Sequence, residues 1–353
     1  MAYGTVNADV IGTSVAGSNL GAGNASIMKN RIINGAMVID QRNAGASVTP
    51  TNGAFTLDRW QAYQTVASKF SVQQNAGSVT PPVGFSKYLG VTSLSAYSVT
   101  ASDYFLMCQR IEGFNTADLG WGTANAKPAT LSFQVYSSLT GTFGGALQNG
   151  TNNNYSYPFT YSIPVANTWT TISVNITAPT AGSWVGAVNT SGLDLYFGLG
   201  VGTTNSGTAG SWASAYYLSA TGATSVVGTS GATFYITGVQ LEVGSSATGF
   251  EYRQYQQELA LCQRYYETLT FGTFPNYPVF GTYQSATSGF GGVNWHTTKR
   301  TEPTVVKVNG TWTGATPSIA PAIDGCFFYS SPATAFYLTG TATQVAISAS
   351  AEI

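Results

Sequence analysis

Alternation of apolar and polar residues over successive short windows constrains this chain most. Leu131, Phe133 and Val135 alternate with Ser132, Gln134 and Tyr136; Ile172, Val174 and Ile176 alternate with Thr171, Ser173 and Asn175. Leu193, Leu195, Phe197, Leu199 and Val201 do the same against Asp194, Tyr196, Gly198 and Gly200. A period of two gives each segment one apolar face, which predicts half-buried strands of antiparallel sheets. Turn-forming clusters separate them, such as Gln148 to Asn153 and Asn205-Ser206-Gly207. In the run ending at Val243, Phe234 and Ile236 share one phase while Val239, Leu241 and Val243 share the other. That slip predicts a β-bulge at Thr237-Gly238. Many short strands without βαβ alternation predict an all-β chain, with a β-sandwich or jelly roll over 29–254.

The helical period shows once. In QYQQELALCQRYYE, Leu259, Cys262 and Tyr266 recur at i, i+3 and i+7, and Leu261 and Tyr265 are i, i+4 neighbours. This predicts a linker helix over 255–268 and a domain boundary near 255. Strand signals then resume at Pro278-Val279-Phe280 and at Thr304 to Val308, ahead of an Asn309-Gly310 hairpin signal. Val345, Ile347, Ala349, Ala351 and Ile353 alternate with Ala346, Ser348, Ser350 and Glu352, predicting a strand tied into a sheet. A smaller C-terminal β-sandwich over 269–353 follows. Residues 1–28 carry no sustained period. They read either as a flexible tail or as an extended attachment segment in which Val6, Val10, Ile11 and Val15 fill pockets on a partner.

Charge narrows the function. The chain has 13 Lys+Arg and 14 Asp+Glu, 8% of its residues, against about 25% in ordinary soluble domains. No Lys or Arg lies between Lys127 and Arg253, which leaves that stretch without cations for phosphates and argues against a nucleic-acid partner. No apolar run reaches the roughly 20 residues of a membrane span, and MAYGTVNADV lacks the basic and apolar regions of a signal peptide. Cys108, Cys262 and Cys326 are odd in number and far apart, so we read them as reduced core thiols. With His296 the single histidine and no CxxC, a zinc site is not expected. Neither a GxSxG elbow nor a GxxxxGK[ST] loop occurs, and Gly198 to Gly202 precedes no helix, so no cofactor is expected. Asp194 is the one carboxylate between Lys127 and Glu242 and reads as a solvated or turn-bonding strand residue. Asp103, Glu112 and Asp118, beside Arg110, read as a surface charge cluster. Neither set supplies the opposed carboxylate pair that glycan hydrolysis needs.

Three segments carry a resemblance. The first is Asn30-Arg31-Ile32-Ile33-Asn34-Gly35-Ala36-Met37 with Ile39-Asp40-Gln41-Arg42 and Thr56-Leu57-Asp58-Arg59-Trp60. The second runs from Gly238-Val239-Gln240-Leu241-Glu242-Val243-Gly244, through Ala247 to Glu251, into Glu258-Leu259-Ala260-Leu261-Cys262-Gln263-Arg264-Tyr265-Tyr266. The third is the C-terminal ASAEI. Together they resemble a family of tailed-bacteriophage virion proteins, usually tail fibres or other surface appendages, although Gly249 stands where proline is expected. The resemblance implies an N-terminal domain similar to jelly-roll carbohydrate-binding modules, a C-terminal β domain and a homotrimer. It fixes no receptor, because distal loops vary. Asp58-Arg59-Trp60 admits two readings, a sugar clamp or a core anchor; because it lies in the shared part, the anchor is favoured.

Loop aromatics supply the binding candidates, since sugar C–H faces stack on rings while amides and hydroxyls satisfy their OH groups. Tyr155 and Tyr157 follow an asparagine run; Trp184 and Trp212 sit in Gly/Ser loops, the latter ahead of Tyr216-Tyr217; Tyr277 and Trp295 lie toward the C-terminus. Core or subunit packing is the alternative for each. The resulting expectation is a non-enzymatic virion protein, a tail fibre made in the host cytoplasm. It would join other virion proteins through residues 1–28 and adsorb to host-surface glycan. The alternatives are a capsid decoration or head-fibre protein and a glycan-degrading tailspike. No rung-like repeat of a tailspike β-helix occurs in the sequence.

Overall fold

The structure, a computed structural model, describes residues 28–271, 282–285, 288–309, 311–314, 316–330, 336–339 and 345–353. Val6, Val10, Ile11 and Val15, the strand at Pro278 to Phe280, and Tyr277 lie outside the described residues.

Two antiparallel sheets enclose one core, and the fold is all-β. The first has the order β1 (Phe55–Leu57), β2 (Trp60–Gln64), β5 (Tyr104–Glu112), β10 (Ser191–Val201), β7 (Gly141–Asn149), β8 (Ser156–Ile163). The second has the order β3 (Phe70–Gln74), β4 (Leu89–Ser93), β13 (Thr233–Val243), β6 (Ala129–Ser137), β9 (Thr170–Ile176). Strands adjacent in space are distant in sequence, as β10 between β5 and β7 shows. The inward phases of both sheets meet: Phe133 of β6 packs edge-on against Phe197 of β10 at 5.1 Å, and Phe197 also meets Phe234 of β13 at 6.5 Å. The expected slip in β13 is present. Its register with β6 shifts between Thr237 and Gln240, and Gly238 takes φ 62° with Phe85 so close that a Cβ would lie 2.5 Å from the ring.

Strand β10 departs from the half-buried expectation: Ser191 to Gly200 are buried on both faces. The segment carrying the short parallel pair β11 (Ser206–Gly207) and β12 (Ser219–Ala220) lies over the outer face of this sheet. Leu218 packs there with Leu106, Cys108, Ala146 and Tyr196. The missing side chains of Gly144 and Gly198 leave room for Ser219, whose Oγ would stand 2.6 and 2.8 Å from an added Cβ. Asp194 is therefore neither solvated nor in a turn. It is 1% exposed, accepts from Ser191 Oγ and from the Tyr196 hydroxyl at 3.0 Å, and faces Arg110.

Helix α1 spans Tyr255–Gln263 and buries Glu258 and Cys262. It is shorter than the period suggests: Tyr266 already begins β14 (Tyr266–Phe271). That strand joins β22 (Val345–Ser350) and β17 (Thr304–Asn309) in a three-stranded sheet with β22 in the centre. A four-stranded sheet follows the order β15 (Thr282–Ser285), β16 (Ser288–Asn294), β20 (Gly325–Ser330), β19 (Ser318–Pro321). A further pair consists of β18 (Thr311–Gly314) and β21 (Phe336–Thr339). The Asn309-Gly310 signal makes no hairpin, because β17 pairs with β22 whereas β18 pairs with β21. Leu269, Trp295, Phe328, Phe336, Leu338 and Ile347 form the core of this region.

The charged segments of the sequence converge between the two regions. Asn34 is fully enclosed; its amide donates to Ile39 O at 2.8 Å and Asp58 O at 3.0 Å. Trp60 is 0% exposed and donates its indole N–H to Asn34 O at 3.1 Å. Arg59, 1% exposed, donates to the Glu352 carboxylate and Arg110 O, with its guanidinium 3.5 Å from the Tyr265 ring centroid. Arg42 reaches the other Glu352 oxygen at 2.7 Å and lies 3.6 Å from the Tyr266 ring centroid. Ile33, Ile39, Cys262 and Tyr265 supply the apolar part of this seam. Arg59, Arg42 and Glu352 thus meet opposite charge or carbonyl, the condition on which such groups leave water. The buried Asp58 carboxyl accepts from the Gln41 backbone and side-chain amides.

Candidate functional site

Connections at one end of the sandwich carry the candidate site. The loops following β5, β7 and β9 all leave at the end where Ser191 pairs with Glu112 and Leu193 pairs with Asn149. Three tryptophans meet there. Trp121 lies edge-on to Trp184 at 5.1 Å and to Trp212 at 5.3 Å, and Trp184 meets Trp212 at 5.5 Å. Tyr155 stacks on Trp212 with rings 5.4 Å apart and 6° from parallel, and Tyr157 touches the same indole at 5.3 Å. Each indole N–H is held by a backbone carbonyl: Trp121 by Lys127 O at 2.7 Å, Trp184 by Ala181 O at 3.1 Å, Trp212 by Thr177 O at 2.7 Å. Such anchoring fixes ring orientation and leaves ring faces as the contact surface.

Local sequence explains how the loops hold. Asn149 accepts from the Asn154 and Tyr155 amides at 3.0 and 2.9 Å and donates to Ser183 O at 2.9 Å, tying two loops together. Gly122 has φ 82°, and an added Cβ would stand 2.4 Å from Trp184 Cδ1, so only glycine allows that indole to lie against the loop.

Beside the cluster lies an open cleft of about 230 Å³, lined by Thr116, Gly120, Trp121, Thr123, Trp184 and Gly186 among others. Trp184 is half-buried, and no carboxylate, histidine or cysteine lines the cleft. The arrangement offers ring surface, two threonine hydroxyls and backbone, which suits an uncharged hydroxyl-rich ligand. Among the described residues, no group of three His, Cys, Asp or Glu is placed to hold a metal.

Thus the structure brings Tyr155, Tyr157, Trp184 and Trp212 together. Tyr157 is 3% exposed and supports the cluster from beneath. Trp295 stands apart, packed in the C-terminal core with its indole N–H on Ala322 O at 3.0 Å. Sequence reasoning missed Trp121, although Gly120-Trp121-Gly122 carries the same signal, a tryptophan between turn glycines, that marked Trp184 and Trp212. Asp103, Glu112 and Asp118 have separate roles. Asp103 accepts from Thr65, Tyr97 and Thr100, led by the Thr100 hydroxyl, which holds its carboxyl down to about 2. Glu112 is clasped by Arg264 through two contacts of 3.1 Å, and Asp118 pairs with Arg31 at 2.6 Å. Asp58 and Arg59 lie in the seam with Trp60, not at a ligand surface; burial pushes the Asp58 carboxyl up to about 6, with the Arg42 charge opposing.

No family model matches the sequence, and no curated protein matches it. Among solved structures, the fold is similar to a putative sugar binding protein from Bacteroides thetaiotaomicron, at 12% identity and TM-score 0.36, over 61% of this chain and 100% of that one. It is similar to a family 11 carbohydrate-binding module from Clostridium thermocellum in complex with a mixed-linked tetrasaccharide, at 12% identity and TM-score 0.29, over 57% and 98%. A third similar structure is the enzymatically active domain of bacteriophage CBA120 tailspike protein 4, at 14% identity and TM-score 0.32, over 56% of this chain. The match spans 21% of the tailspike chain's length.

Proposed function

We propose that this protein is a non-enzymatic glycan-binding component of a tailed-bacteriophage virion, a fibre that adsorbs the particle to host-surface polysaccharide. One observation carries the binding: Trp184, backed by the buried Trp121, presents ring surface to an open cleft whose polar groups are hydroxyls and backbone. Sugar rings are bound in this way, through stacking on C–H faces and hydrogen bonds to neutral groups. The virion setting rests on the resemblance of the Asn30 to Arg42, Thr56 to Trp60, Gly238 to Tyr266 and C-terminal segments. The absence of carboxylates from the cleft lining supports binding without hydrolysis. Display as a homotrimer would multiply weak single-site contacts into useful avidity.

The test is glycan-array binding and host-cell adsorption by the full chain and by Trp184→Ala. Loss of one central aromatic anchor weakens binding about tenfold or more. Unchanged adsorption and array signal in the variant would overturn the reading. Release of oligosaccharides from host polysaccharide by the pure protein would overturn its non-enzymatic part.

A further inference from the structure

A second pocket, of about 100 Å³, lies on the outer face of the six-stranded sheet and shares no lining residue with the tryptophan cleft. Tyr63, Tyr104, Tyr196 and Tyr216 wall it, with Asn153 and Arg110 supplying polar groups. Arg110 is cross-strand partner to Asp194. Asp194 holds it from behind: Oδ2 lies 3.5 Å from the arginine Nε, and the two side chains are 30% and 2% exposed, so the cationic end faces outward and the anionic end inward.

Arg110 differs from every other arginine in the chain. Arg31, Arg42, Arg59, Arg253, Arg264 and Arg300 each donate hydrogen bonds to a carboxylate or a backbone carbonyl. Among the described residues, the Arg110 guanidinium donates no hydrogen bond: its Nε faces Asp194 at 3.5 Å and its Cζ lies 5.6 Å from the Tyr63 ring centroid. Asn153 Oδ1, in the same lining, is buried and unpartnered. Buried polar atoms are normally satisfied, and an unpartnered amide oxygen beside a guanidinium that donates no hydrogen bond, in one aromatic-walled pocket, marks where a ligand's polar groups belong.

We propose that this pocket binds the carboxylate of an acidic sugar residue, of the uronic or sialic acid class, within a polysaccharide. The outward NH2 groups of Arg110 donate to the carboxylate in the planar two-point geometry that guanidinium favours. Asn153 Oδ1 accepts from a sugar hydroxyl, and the half-exposed Tyr216 ring, 46% exposed, covers the sugar face. The volume admits one carboxyl group and one ring edge, so the site selects a residue within a chain.

Calorimetric titration of the full chain decides it, with trigalacturonate, a hyaluronate tetrasaccharide and sialyllactose as probes, each against its carboxyl methyl ester. At least one acid is expected to bind about tenfold or more tightly than its ester, the scale of a charge-assisted contact. Arg110→Gln removes that preference. Because this change leaves Asp194 without its cation, Tyr216→Ala provides a second arm that keeps the pair and weakens the acidic probe. If Trp184→Ala retains the acid preference, the pocket is independent of the cleft. No preference for any acid over its ester overturns the proposal, as does a preference that survives both Arg110→Gln and Tyr216→Ala.

Discussion

Replacing Glu352 by Ala tests the account of the seam. The Glu352 side chain is 6% exposed and takes Arg59, itself 1% exposed, on one oxygen and Arg42 on the other. Its removal leaves the Arg59 guanidinium enclosed with the Arg110 carbonyl and the Tyr265 ring as remaining partners. Breaking a buried pair from one side costs about 3–5 kcal/mol, because the surviving charge stays out of water. At roughly 2–4 °C per kcal/mol for units of this size, the melting temperature falls by roughly 6–20 °C. Near-ultraviolet dichroism during heating and urea titration measures it. Removing both charges, as Arg59→Met with Glu352→Leu, abolishes the enclosed cation, while the more exposed Arg42 keeps the Tyr266 ring. The double variant is then expected to be more stable than the sum of the single changes by about 2 kcal/mol or more, a coupling of the size seen for contacting residues. Single changes costing under about 1 kcal/mol, or a double variant additive within about 0.5 kcal/mol, refute the argument.

Three further outcomes are expected. Gly238→Ala places a Cβ 2.5 Å from the Phe85 ring at φ 62°, combining overpacking with a left-handed backbone, and lowers stability by about 2–4 kcal/mol in urea titration. Burial raises the Asp58 carboxyl to about 6 from 3.8, so between those pH values the folded chain holds a proton that the unfolded chain has released. The stability it contributes, of order 3 kcal/mol, is full below about pH 4 and lost as pH rises through 6. Asp58→Asn removes that slope, and a difference from the parent that stays constant from pH 4 to 7 counts against it. Burial pushes the thiols of Cys108, Cys262 and Cys326 up, the last to about 12; a thiol reagent is expected to label none at neutral pH until urea unfolds the chain, and rapid labelling of the native protein would contradict their enclosure.

Alternation carried the strands and the bulge, because side-chain period and sheet face are one local property. It failed at Asp194, whose outward phase is covered by Leu218 and Ser219, residues in a connection with no periodicity of its own. Turn chemistry failed at Asn309-Gly310, where the flanking strands find partners in different sheets. The aromatic loops were legible as candidates one at a time. Their convergence was not, since Trp121, Trp184 and Trp212 are joined by tertiary packing alone. Nor does anything in Asp58-Arg59-Trp60 reveal Glu352 as its counterpart. The pocket around Arg110 was equally hidden, because a single arginine in a strand says nothing about whether its donors are used.

The distance between Arg59 and Glu352 along the chain, 293 residues, also sets a clock. At about 5–20 residues per second of synthesis, Arg59 leaves the ribosome roughly 15–60 s before its counterion exists. For that interval a cation destined for full enclosure must stay in water, so the seam cannot close around it. Ile33 and Ile39 pack in the finished seam against Cys262 and Tyr265, which are also made after them, so that contact too can form only once synthesis has passed the helix.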